Sequence, residues 1–184
     1  MPRPACARCE RPLSTCLCAT LPAPPLAHRT RLLVLQHPAE AGHAKNTAAL
    51  LTLGLQAAAL RRGEVFDAAL AGPGTALLYP GAGPPLPPAG IEQLILLDGS
   101  WRQSRRLLAA NPWLAALPRL ALPPQPGRYA LRRAHCPGQL STLEAGLHAL
   151  ALLEGGPARF APLWAAFDAF VRAGLARRGE TGLP

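Results

Sequence analysis

Short apolar runs alternate with longer stretches of helical periodicity from residue 31 onward. Arg31-Leu32-Leu33-Val34-Leu35-Gln36 reads as a buried strand that stops at His37-Pro38. Residues 47–60 then follow a helical pattern, with Asn46 or Thr47 as N-cap and Gly63 just past the end. Ala76-Leu77-Leu78-Tyr79 is a short strand stopped by Pro80-Gly81, and Pro84-Pro85-Leu86-Pro87-Pro88 is a stiff connector. Leu94-Ile95-Leu96-Leu97 is another buried strand. Ser100 and Gln103 form a capping box that opens a helix over residues 101–110, ended by Asn111-Pro112. Residues 119–122 and 129–132 carry fainter strand patterns. Ser141-Thr142-Leu143-Glu144 repeats the capping box and starts a helix to Leu153, closed by Gly155-Gly156. A last helix over residues 158–177 puts Phe160, Leu163, Trp164, Phe167, Phe170 and Val171 on one face, a stripe that reads as core. Strands alternating with helices predict an α/β domain with a mostly parallel sheet.

Residues 1–26 do not fit that rhythm. They are rich in Cys and Pro and hold too few apolar residues for a core of their own. Cys6-Ala7-Arg8-Cys9 and Cys16-Leu17-Cys18 supply four thiols at spacings that can close a tetrahedral site on Zn²⁺, and the metal would supply the missing folding energy. An iron–sulfur cluster is the second tenant for such a set. The expected organisation is a small four-cysteine zinc knuckle over residues 1–26 and an α/β domain over 27–184. Cys136, far from the others, reads as a small buried residue.

Length and charge narrow the class. At 184 residues the chain suits one domain with a small appendage. The longest apolar segment, residues 48–60, is broken by Thr52, Gly54 and Gln56 and is too short to span a bilayer. No apolar stretch of the signal-peptide kind follows the first residues, so the expectation is a cytoplasmic protein with no membrane partner. Lys+Arg exceed Asp+Glu by nine, a balance that favours a polyanionic partner. Lys45 is the single lysine, so part of the arginine excess reflects a compositional bias.

The chemistry gathers where strands end. Asp98-Gly99-Ser100-Trp101 combines a carboxylate, a glycine, a helix N-terminus and a large aromatic at the carboxyl end of a core strand, where open α/β sheets bind ligands. Tyr79-Pro80-Gly81 and the approach to Ser141 through Pro137-Gly138-Gln139-Leu140 are two further loops of this kind. After the first strand, His37-Pro38-Ala39-Glu40 and Lys45-Asn46-Thr47 form a polar cluster suited either to helix capping or to a phosphate or carboxylate. No Gly-rich dinucleotide fingerprint, Walker A motif or nucleophile elbow occurs.

In this order, the Cys pairs, Leu35-Gln36-His37-Pro38 with Glu40, Asn46-Thr47, Leu78-Tyr79-Pro80, Asp98-Gly99-Ser100-Trp101 and Leu140-Ser141-Thr142-Leu143-Glu144-Ala145 resemble the DTW-domain family of tRNA-uridine aminocarboxypropyltransferases. The resemblance covers roughly residues 6–153. Ser100 stands where the naming motif has Thr, and it keeps the capping hydroxyl. The C-terminal helix carries no matching motif.

The resemblance implies a SPOUT-like fold with a C-terminal knot around S-adenosyl-L-methionine. It implies transfer of the 3-amino-3-carboxypropyl group to N3 of a tRNA uridine, with methylthioadenosine released. Asp98 would then be the general base or the anchor of the cofactor's ammonium, and Trp101 would stack on a base, exclude water or simply pack. Tyr79, Pro80, Gly81, Leu97, Gly99, Ser100, Leu140, Ser141 and Thr142 would clasp the cofactor. Lys45, Asn46 and Thr47 would meet the substrate, and Cys6, Cys9, Cys16 and Cys18 would hold structural zinc. A SPOUT-type RNA methyltransferase and a non-catalytic zinc-containing RNA-binding module are the alternative readings.

Overall fold

A computed structural model describes residues 4–80, 90–131 and 139–179. Five strands form one sheet: β1 (Arg31–Gln36), β2 (Ala58–Arg62), β3 (Thr75–Leu78), β4 (Gln93–Asp98) and β5 (Arg119–Leu120). Their order is β2-β1-β4-β3-β5, and every pairing is parallel. All five carboxyl ends therefore lie along one edge. Register aligns Arg62, Gln36 and Asp98 across three strand ends, and Leu96, Leu78 and Leu120 across three strands.

Alternate residues of the strands point to opposite faces, which splits the core in two. On one face Leu32, Val34, Leu94 and Leu96 pack with α1 (Ala48–Gly54), α4 (Thr142–Glu154) and α5 (Ala161–Ala176). Phe160, Phe167 and Phe170 are wholly buried there, as the aromatic stripe predicted, each stabilising by about 1.5–3 kcal/mol. On the other face Leu33, Leu35, Leu77 and Ile95 pack with Leu108 of α2 (Trp101–Ala110) and Leu114 of α3 (Pro112–Ala116). No helix among the described residues is long and apolar enough to cross a membrane.

Several boundaries differ from the sequence reading. The helix expected over residues 47–60 stops at Gly54, and residues 58–62 form strand β2 instead. Gly54 lies against Leu163, where a Cβ would come within 2.5 Å, and its carbonyl accepts the Leu26 N–H at 2.8 Å. The chain turns there and pairs with β1, so sheet register overrides the helical preference of Ala and Leu. Asn111-Pro112 ends α2 but also starts α3, with Pro112 in the first turn, where its missing N–H costs nothing. The strand expected over 119–122 is only two residues long. Residues 129–131 form no strand; Leu131 is buried against Gly174 of α5. The final helix begins with a 3-10 turn over Pro157–Phe160, entered through Gly155 and Gly156 at φ of 67° and 62°. Gly81, the proline-rich connector at 84–88 and Cys136 lie outside the described residues.

Candidate active site

A cleft of about 350 Å³ opens at the carboxyl ends of β3 and β4, within the size range of small-molecule sites. Three chain segments distant in sequence build it: residues 78–80 after β3, 97–104 from the end of β4 into α2, and 139–145 leading into α4. Leu122, Pro123 and Pro124 after β5 also line it. Tyr79, Pro80, Leu97, Gly99, Leu140, Ser141 and Thr142 thus line one cleft together with Trp101. Ser100 stands outside the lining. Its hydroxyl accepts the Gln103 N–H at 3.3 Å while Gln103 Oε1 accepts the Ser100 N–H at 2.5 Å, completing a capping box. Gly99 is required by crowding rather than by φ: a Cβ there would lie 2.9 Å from the Cβ of Gln103.

Trp101 sits on the rim, 41% exposed, with its ring edge-on to Tyr79 at 5.8 Å between centroids. The Arg119 guanidinium lies over the other aromatic, 5.4 Å from the Tyr79 centroid. Nothing in the sequence singles out Arg119, which reaches Tyr79 through the pairing of β3 with β5.

Asp98 is buried and not among the residues lining the cleft. Its carboxylate accepts three hydrogen bonds: Gln36 Nε2 at 2.8 Å and Asn46 Nδ2 at 2.6 Å on Oδ2, and the Thr142 hydroxyl at 2.5 Å on Oδ1. Thr142 belongs to the cleft wall, so it joins the cavity to the buried acid. Gln36 enters the sequence reading only inside the Leu35-Gln36-His37-Pro38 match, with no role of its own. It closes the first apolar run, and only the β1–β4 register shows that it stands beside Asp98.

The second polar cluster forms the rest of this network. Asn46 Oδ1 accepts the Ala48 N–H at 2.9 Å, which makes Asn46, rather than Thr47, the side-chain cap of α1. The Thr47 hydroxyl accepts the Leu143 N–H at 3.3 Å, tying α1 to the first turn of α4. Lys45 is half-buried and its carbonyl accepts the Tyr129 hydroxyl. His37 is buried at the end of β1; its Nδ1 accepts the Ala39 N–H at 3.2 Å, and Nε2 lies 3.4 Å from Glu64 Oε1. Glu144 is wholly buried and does more than complete its capping box. Its two oxygens accept the N–H groups of Ser141 at 2.7 Å and Arg128 at 2.5 Å, clamping the 127–128 segment onto the cleft loop.

The four cysteines form a separate centre. All four sulfurs lie within 4.8 Å of one another, with Cys6–Cys18 at 3.7 Å and Cys9–Cys16 at 3.8 Å. A tetrahedral zinc tetrathiolate has S···S edges of about 3.8 Å, whereas a disulfide needs about 2.05 Å, so the set fits a metal ion. The N–H groups of Cys9 and Arg8 pull Cys6 down to about 6, while burial and then hydrogen bonding with Cys6 push Cys18 up to about 12.

This centre is anchored to the active-site network at two points. Arg11, buried beside Cys9, donates to the carbonyls of Thr15, Asn46 and Ala44, and its guanidinium lies 5.0 Å from the Phe170 centroid. Burial lowers the pKa of that guanidinium, and the neighbouring Cys9 opposes the shift. Glu10 pairs with Arg62, whose Nε donates to Gln36 Oε1 at 2.9 Å. A continuous chain of contacts thus runs Glu10, Arg62, Gln36, Asp98, Thr142.

The DTW domain matches residues 3–175. The chain is 36% identical over 172 residues to tRNA-uridine aminocarboxypropyltransferase 2 of Drosophila melanogaster, covering 84% of this chain and 68% of the fly protein. It is 34% identical over 173 residues to the Mus musculus protein of the same name, covering 83% of this chain and 57% of the relative. It is 30% identical over 137 residues to tRNA-uridine aminocarboxypropyltransferase A of Arabidopsis thaliana, covering 59% and 52%. No solved structure matches the chain.

Proposed function

This chain belongs to the DTW domain family, and from that membership we propose that it moves the 3-amino-3-carboxypropyl group of S-adenosylmethionine onto N3 of a uridine in tRNA, releasing methylthioadenosine. The observation that carries the reading is the convergence of residues 78–80, of Leu97, Gly99 and Trp101, and of residues 140–142 on one cleft, with Thr142 linking its wall to Asp98. The cleft suits S-adenosylmethionine in size, in its apolar walls and in the polar Ser141 and Thr142.

Bound there, S-adenosylmethionine supplies a carbon activated by its neighbouring sulfonium. The new N–C bond to uridine N3 forms as the S–C bond breaks and its electron pair stays on sulfur. The N3 proton must leave to a base. Asp98 fills that role through Thr142: the hydroxyl on the cleft wall accepts the N3 proton while passing its own to Asp98 Oδ1. Gln36 and Asn46 hold Oδ2 and keep the acid aimed at Thr142. The three filled acceptor positions favour this indirect role over direct contact with a cofactor ammonium. Trp101 offers its exposed ring to a base, Lys45 is a phosphate contact, and Asn46 and Thr47 act on the substrate by positioning Asp98 and α4.

The proposal extends to a SPOUT-like knotted path, supported by the all-parallel sheet with a cleft at its carboxyl edge. It extends to a structural Zn²⁺ on Cys6, Cys9, Cys16 and Cys18, supported by the sulfur spacing, and to a cytoplasmic location. Mass spectrometry of nucleosides from tRNA incubated with protein and S-adenosylmethionine tests the reaction. A 3-(3-amino-3-carboxypropyl)uridine is expected. A methylated uridine would support the methyltransferase reading, and unmodified tRNA the non-catalytic one.

A further inference from the structure

Arginine is unevenly committed in this molecule. Arg29 and Arg159 meet Glu154, Arg62 meets Glu10, Arg128 meets Asp168, and Arg11 is buried against carbonyls. Arg102, Arg105 and Arg106 on α2 have no ion-pair partner among the described residues, and all three are exposed. Their i, i+3, i+4 spacing places them as neighbours on one helix face. The helix, Trp-Arg-Gln-Ser-Arg-Arg-Leu-Leu-Ala-Ala, contains no acidic residue. Arg102 also stands in the first turn, where the helix dipole disfavours a cation. Local electrostatics therefore oppose this arrangement in the free protein, and a polyanion lying on the face would relieve it.

The face leads directly to the cleft. Trp101 precedes Arg105 by one helical turn, lines the cavity and is 41% exposed. Tyr79 meets Trp101 edge-on, and Arg119 lies over Tyr79, so the rim is an arginine and two aromatic rings in contact. Stacking rings beside a row of unpaired cations is the combination that holds single-stranded nucleic acid without reading its sequence.

We propose that the exposed face of α2, carrying Arg102, Arg105 and Arg106, is the docking surface for the RNA backbone flanking the target nucleotide, continued at the cleft mouth by Trp101, Tyr79 and Arg119. The inference rests on the tRNA reading above and names the part of the surface that reading leaves unassigned. The arginines position the strand, and the aromatic rim receives the base turned toward the cavity.

The test compares the unaltered protein with R102Q/R105Q/R106Q and with a control, R31Q/R172Q/R177Q, which removes three exposed arginines elsewhere on the molecule. Fluorescence anisotropy with a labelled tRNA transcript is read across a salt series. Each phosphate that the protein no longer neutralises makes the plot of log K against log salt shallower by about 0.7–0.9. The α2 variant should lose about 2 in slope and about 100-fold in affinity at 0.1 M salt, while the control keeps most of both. Its melting temperature and its binding of S-adenosylmethionine should match those of the unaltered protein. Equal loss in both variants, or none in the α2 variant, would overturn the docking face and leave the tRNA reading standing. Absence of salt-dependent tRNA binding by the unaltered protein would overturn both.

Discussion

The Thr142 hydroxyl donates to Asp98 Oδ1 across 2.5 Å, and this bond is where the cleft wall meets the buried carboxylate. It brings together residues 44 positions apart and joins α4 to β4 at the carboxyl edge of the sheet. If proton transfer to Asp98 runs through that hydroxyl, the hydroxyl matters and the methyl group does not. Thr142→Val keeps the shape and removes the donor, so methylthioadenosine release should fall about 10- to 150-fold, the equivalent of about 1.5–3 kcal/mol for a hydrogen bond to a charged group. Thr142→Ser should stay within a few-fold of the unaltered rate. Equal rates for Thr142→Val and Thr142→Ser would remove Thr142 from the pathway.

Metal removal should reach the active site. Cys9 neighbours both Glu10, at the head of the Arg62–Gln36–Asp98 chain, and Arg11, which holds the Asn46 carbonyl. Elemental analysis should find one zinc per chain. Chelation, or Cys9→Ser, should lower the melting temperature by about 4–12 °C, the shift expected for ~2–3 kcal/mol in a chain this long. Hydrogen exchange over residues 44–47 should speed up in parallel. A metal-free chain that melts at the same temperature would contradict the assignment.

Acid should weaken the fold through His28. The Nδ1–H of His28 donates to the Thr30 carbonyl at 2.8 Å, and Nε2 accepts the Ala57 N–H at 3.1 Å, so the ring bridges the starts of β1 and β2 in its neutral form. Burial lowers its pKa, partly offset by the Thr30 carbonyl. The unfolded chain, with histidine near about 6.5, then binds the proton more readily than the folded one. Stability present above about 6.5 is lost as pH falls toward the lower folded value. His148, lowered by burial beside Trp164, acts in the same direction. Urea midpoints at pH 7.5 and 5.5 should separate in the unaltered protein and separate less in His28→Gln. The same separation in both would exclude His28 as the cause.

Sequence pattern placed β1, β4, α2 and α4 almost residue for residue, because each joins a clear apolar period to a local stop or cap signal. The cysteine centre was equally legible, since its ligands fall within thirteen consecutive residues. Strand β2 was hidden because Ala58-Ala59-Leu60 favours a helix until pairing with β1 is known. The partners of Asp98 were hidden for a related reason. Gln36 and Asn46 lie 62 and 52 residues away, and nothing local marks a glutamine at a strand end as the neighbour of a carboxylate. Ser100 and Trp101 share one motif yet differ in role, the first spent on a helix cap and the second open on the rim.

The most direct measurement is chromatography of the small-molecule product after the protein, S-adenosylmethionine and tRNA are incubated together, with Asp98→Asn run alongside. The account predicts methylthioadenosine formed in step with modified tRNA, and loss of both in folded Asp98→Asn protein. S-adenosylhomocysteine as the product, or full activity in Asp98→Asn, would contradict it.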